Sequence, residues 1–165
     1  MHADARRANP CSFALRWTAR LLVLAALLAL VDCGAAQPMT PIGFAACSGD
    51  GRTPFRAVSA DGVVYRVRRE PNPGAAPLAF WKEALAARMR AAGYTVLAED
   101  TLSDAGTAPG TLLDLVAPRG TRDQGYLVGL FVRDETLVIV EAAGERAALD
   151  ARRSALLAAI HTSRF

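Results

Sequence analysis

Residues 126 to 133 and 136 to 143 form two short runs separated only by Asp134-Glu135. Leu127, Val128, Leu130 and Phe131 make the first run apolar at adjacent positions, and Leu137, Val138, Ile139 and Val140 do the same for the second. Adjacent side chains on a strand point to different faces, so strands like these need cover on both sides. A two-residue connection makes the pair antiparallel. The fold that follows is an antiparallel sheet closed by helices on both faces.

The remaining elements fit around this hairpin. Phe55 to Ser59 and Val63 to Arg68 flank Ala60-Asp61-Gly62, a strong hairpin signal. In the second of these strands Val63, Tyr65 and Val67 share one face, and Val64, Arg66 and Arg68 share the other. Glu70-Pro-Asn-Pro-Gly74 breaks the chain, and Pro77 then suits the first turn of a helix. Leu78, Trp81, Leu85, Met89 and Ala92 form one stripe at helical spacing, which Gly93 ends. The stripe makes Trp81 a core residue rather than a platform for stacking a ligand. Tyr94 to Glu99 and Thr111 to Ala117 read as two more strands. Glu145 to about Ser163 reads as a closing helix with Leu149, Leu156, Leu157 and Ile160 inward. The expected class is α+β: hairpin, helix, four strands, helix, in a three-layer α/β/α arrangement covering residues 55 to 165 as a single domain.

Upstream, a basic stretch to Arg20 precedes the apolar run 21 to 31 and the mostly small residues 32 to 36. This is the layout of a secretory signal. Eleven apolar residues span roughly 16 Å as a helix, about half of the ~30 Å hydrocarbon core, so a permanent membrane span is not expected. Cleavage after Ala36 would leave Gly34 and Ala36 at the positions that demand small side chains. Leu30-Val31-Asp32-Cys33-Gly34 also resembles a bacterial lipobox, in which Cys33 would be lipidated, although Asp32 departs from the small residue that pattern has before the Cys. Either route, or an uncleaved hydrophobic N-terminus as the third reading, exports the domain, to the periplasm or to a membrane anchor facing it. Residues 37 to 54 hold three Pro and three Gly without periodicity and are expected to be a flexible linker. Cys47 within it is either buried and inert, the favoured reading, or available for intermolecular pairing.

Charge and residue counts exclude several function classes. The net charge of +3 divides into +2 for the first 36 residues and +1 for the rest, where 15 basic residues face 14 acidic ones. Basic runs interleaved with aromatics are absent, so nucleic-acid binding is not expected. Downstream of the signal there is one His, His161, and one Cys, too few for a zinc site or a Cys/His centre. Neither a metal nor a cofactor is expected. Glu99-Asp100 and Asp134-Glu135 lie at strand ends, where solvated turns account for them. Two cationic groups remain as contact candidates. Arg119 and Arg122 lie in the polar loop 118 to 125, the preferred contact surface for a protein partner or a membrane. Arg66 and Arg68, with Arg69, either protect an edge strand by charge or meet an anionic head group or acidic partner.

The segment FWKEALAARMRAAGYTV (80 to 96), the apolar strand ending in Ala117-Pro118, Tyr126 six residues before Val132, and TLVIVEAAG (136 to 144) together resemble the PsbP/Mog1/DcrB-like fold family. The resemblance covers residues 55 to 163. It implies an exported bacterial protein or lipoprotein with a non-enzymatic accessory or binding role, and carries over no catalytic set. The alternative class is a small envelope enzyme built on Asp, Glu and Arg side chains.

Overall fold

In a computed structural model the chain divides into Met1–Ala35 and Ala36–Phe165. The described residues, 38–47, 53, 55–106 and 109–165, all belong to the second unit. The signal and Cys33 lie outside them. The elements are β1 (Phe44–Cys47), β2 (Phe55–Ser59), β3 (Val64–Pro71), α1 (Leu78–Ala91), β4 (Thr95–Ser103), β5 (Pro109–Arg119), β6 (Arg122–Arg133), β7 (Thr136–Glu145) and α2 (Arg146–Thr162).

All seven strands join one antiparallel sheet in the order β1-β2-β3-β7-β6-β5-β4. β1 to β3 and β4 to β7 are runs of sequential neighbours, and β3 against β7 is the one pairing that joins them. The chain must therefore travel from the interior strand β3 to the far edge at β4, and α1 makes that crossing over β6, β5 and β4. Gly93, at φ +87°, ends the helix in a backbone conformation that favours glycine. Gly62, at φ +84°, does the same for the β2–β3 turn.

Neighbouring residues on the central strands feed two separate apolar clusters, as the pleat requires. Leu112, Leu127, Phe131, Val138 and Val140 pack with Tyr65 and Val67 and with Leu149, Leu156 and Ile160 of α2. Leu113, Leu115, Val128, Leu130, Leu137 and Ile139 pack with Ala86 and with the partly buried Leu78, Trp81, Leu85 and Met89 of α1.

The expected fold class is corrected here. The protein is mainly a seven-stranded antiparallel sheet with only two helices, one between strands and one at the C-terminus, and not a three-layer α/β/α domain, because neither helix covers enough strands to make a layer. A helix about 10 Å wide cannot form a layer over seven strands spaced about 4.8 Å apart, roughly 29 Å across. Two other expectations change with it. Residues 44 to 47, within the expected linker, form the edge strand β1, which pairs Phe44 with Ser59 and Cys47 with Arg56. Cys47 is exposed there, not buried.

Asn72, fully buried just after β3, ties the crossing to the sheet. Its backbone N–H donates to Glu135 O at 2.7 Å, and its Nδ2 donates to Ala76 O and Asp134 O, each at 3.0 Å. Its Oδ1 accepts from Trp81 Nε1 at 2.8 Å. One side chain thus fastens the β3–α1 connection, the β6–β7 turn and the first turn of α1. Replacing it leaves buried polar groups without partners, so Asn72→Ala is expected to cost about 2 to 4 kcal/mol and Trp81→Phe about 1 to 2 kcal/mol in urea unfolding. A loss under about 0.5 kcal/mol for Asn72→Ala would show that the connection does not depend on it.

Candidate functional site

The sheet order changes the meaning of Arg66 and Arg68. β3 lies between β2 and β7, so it has no free edge to protect. Arg66 stands directly opposite Glu141 of β7, and Glu141 stands opposite Val128 of β6. Glu141 is only 3% exposed, in the middle of an apolar strand. A carboxylate in such a position needs both a countercharge and hydrogen bonds. Arg66 Nε lies 2.6 Å from Glu141 Oε2, Arg68 Nε donates to the same oxygen at 3.1 Å, and the Tyr126 hydroxyl donates to Oε1. Arg68 also reaches Glu70 at 2.5 Å.

These contacts settle the protonation states. Burial pushes the Glu141 carboxyl up, but hydrogen bonds from Tyr126, Arg66 and Arg68 outweigh it and hold the group below its ordinary value. Burial, followed by the Glu141 charge, raises the Tyr126 phenol. The hydrogen bond to Glu141 raises Arg66. At neutral pH the cluster is one carboxylate, one neutral phenol and two guanidiniums.

The cluster forms one end of a groove of about 760 Å³ between α1 and the sheet. Trp81, Leu85, Arg88 and Met89 line it from α1, Leu130, Leu137 and Ile139 from the strands. Tyr94 and Tyr126 border the charged end with ring centroids 5.9 Å apart. The groove exists because α1 packs loosely. Ala86 is its one fully buried residue, and the stripe residues are only partly covered. Arg88 is exposed and has no carboxylate partner among the described residues.

Of the residues singled out in the sequence, Arg66 and Arg68 enter this site and Trp81 lines it. Arg122 does not line it. The expected loop 118 to 125 is a hairpin in which β5 runs to Arg119 and β6 starts at Arg122, and the exposed Arg122 pairs with Glu145 at 2.9 Å. Arg119 ends β5, and its side chain is outside the described residues. Adjacent carboxylates diverge along the edge strand, Glu99 to Lys82 at 3.1 Å and Asp100 to Arg153 at 3.7 Å. His161 Nδ1 lies 2.7 Å from Ser103 O, a backbone acceptor. Among the described residues no group of His, Cys, Asp and Glu is placed to hold a metal ion, and no helix is long and apolar enough to cross a membrane. Glu141, Tyr126 and Arg88 were not singled out from the sequence. The signal for Glu141 was there, as the single charge inside Leu137–Ala143.

No family model matches the chain, and no curated protein matches it. Solved structures do. The crystal structure of PA94, a protein of unknown function from Pseudomonas aeruginosa, is similar at a TM-score of 0.54 and 17% identity, over 76% of this chain and 83% of that one. The solution structure of the cyanobacterial PsbP, CyanoP, from Synechocystis sp. PCC 6803 is similar at a TM-score of 0.52 and 11% identity, over 73% and 82%. The fold is PsbP-like.

Glu141→Gln removes the countercharge from two partly exposed arginines and is expected to lower stability at neutral pH by about 2 to 3 kcal/mol. Because the folded carboxyl is held low, its contribution is complete above the ordinary carboxylate range and is lost as pH falls through the lowered value. Denaturation midpoints of the native chain and the variant should therefore converge in acid. A gap that stays constant with pH would mean that Glu141 is not ionised in the folded protein.

Proposed function

We propose that the chain is an exported, non-catalytic accessory protein that works by binding, with the charged end of the groove as its contact surface. The observation that carries this reading is the charge imbalance. Three guanidiniums, Arg66, Arg68 and Arg88, line the groove against two carboxylates, the buried Glu141 and the Glu70 that takes part of Arg68, which leaves one positive charge over. Glu141 and Glu70 do not call for the third cation, Arg88, and an interior strand has no edge to guard. The surplus fits an anionic ligand or an acidic partner surface.

The cluster's chemistry favours binding over catalysis. General acid–base work at neutral pH needs a group that titrates near that pH, whereas Glu141 is held ionised and Tyr126 held neutral. The PsbP-like fold supports the accessory role by analogy only. Export rests on the basic, apolar and small segments of residues 6 to 36, with Cys33 as the anchor if the lipobox is used and Ala36 as the cleavage point if it is not.

The test is made in the cell. With p-benzoylphenylalanine at position 92 of the full chain, which borders the charged end of the groove and leaves its arginines in place, an envelope fraction should hold the protein in a photo-crosslinked form, and the same probe at position 122 should give little adduct. Cys33→Ser should release the protein from the membrane if the anchor is a lipid, and leave fractionation unchanged if the chain is cleaved after Ala36. Retention in the cytoplasm would overturn the export reading. Crosslinking at 122 without crosslinking at 92 would move the contact surface to the β5–β6 hairpin.

A further inference from the structure

The groove is polarised along its length. Trp81 is tied through Asn72 to the β6–β7 turn, while Tyr94 meets Tyr126 at the opposite end. Between them, Leu137 and Glu141 are four residues apart on β7, a distance of about 13 Å. The turn-side end is therefore lined by Trp81, Leu85 and Leu137, and the other by Arg66, Arg88, Tyr126 and Glu141. A volume of about 760 Å³ is within the usual range of small-molecule sites, roughly 300 to 1,000 Å³.

The charge at the polar end limits the head group. Arg66, Arg68 and Arg88 face two carboxylates, since Glu70 takes part of Arg68 and Glu141 engages both Arg66 and Arg68. The surplus is one positive charge. Glu141 in the floor would also repel a doubly charged head. A singly charged head joined to one apolar chain matches both ends.

Resting on the groove as the binding surface, we propose that its ligand is a single-chain carboxylate amphiphile of the fatty-acid class. The carboxylate lies at Arg88 and the exposed part of Arg66, and the chain runs beneath α1 toward Trp81. Arg66 is 44% exposed despite its contact with Glu141, so it keeps donors for a second anion.

The chain has two tryptophans, so Trp17→Phe leaves Trp81 as the only reporter. Dodecanoate, titrated below its micelle concentration into this full chain, should change Trp81 emission saturably with one molecule per chain. Dodecyltrimethylammonium and acetate should not. Arg88→Glu should weaken dodecanoate binding by about tenfold at low salt in a chain that still unfolds cooperatively. Ala84 also lines the groove from α1, and Ala84→Phe, which narrows it without touching its charge, should weaken binding as well. Absence of a saturable change, equal binding of the cationic amphiphile, or an Arg88→Glu variant that binds as well as the native chain would each overturn the proposal. Crosslinking from position 92 separates the two readings: if it persists while dodecanoate fails, the ligand class is wrong and the groove stands, whereas loss of both removes the groove.

Discussion

A carboxylate buried within a sheet has to be answered from the neighbouring strand, and here the answer crosses the one junction that holds the sheet together. β1 to β3 and β4 to β7 each assemble from sequential neighbours, so local turns suffice for them. The β3–β7 pairing has no turn to set its register. Arg66 opposite Glu141 supplies that specification, because a slip of one residue would set Tyr65 or Val67 against the carboxylate and turn the arginines into the apolar cluster beneath α2.

From that junction the rest of the groove follows. With β3 inside the sheet and β4 at its far edge, the chain must cross the intervening strands, and α1 is the crossing. Asn72 fixes where it starts and Gly93 lets it stop. Because only Ala86 is fully buried, the helix is anchored at its first turn while much of its stripe stays partly open above Leu130, Leu137 and Ile139. The cations that answer Glu141 thus end up at one end of a space that is apolar at the other. On the other side of the strands the charges are closed off. Asp114, 4% exposed, takes Arg146 at 2.6 Å and Arg153 at 2.5 Å, which binds α2 to β5 and leaves no comparable surplus.

Local signals were legible and non-local ones were not. Asp61-Gly62, the stripe from Leu78 to Met89, Gly93 and Asp134-Glu135 each act over a few residues, and each lies in the element that its chemistry implies. β1 was hidden because four residues among Pro and Gly form a strand only when β2 offers an edge. Strands apolar on both faces show that each face is covered but not how much helix covers it, and the three-layer expectation went too far for that reason. Arg66 and Arg68 stood out as cations, yet their role depended on β3 being interior, which no local pattern encodes. Glu141 was visible as a charge in an apolar run, and the buried polar residue was the more informative feature. The loop around Arg119 and Arg122 seemed open from its Gly and Arg content, but strand pairing reduced it to a two-residue turn.

Arg66 and Glu141 should be energetically coupled across the junction, and a double-mutant cycle on unfolding free energy measures that coupling directly. Arg66→Gln, Glu141→Gln and the double variant, compared with the native chain at neutral pH and low salt, should give a coupling of about 1 to 2 kcal/mol, lower than for a fully buried pair because Arg66 is partly in water. Additivity within about 0.5 kcal/mol would mean that the two side chains neither set the β3–β7 register nor act together at the head of the groove.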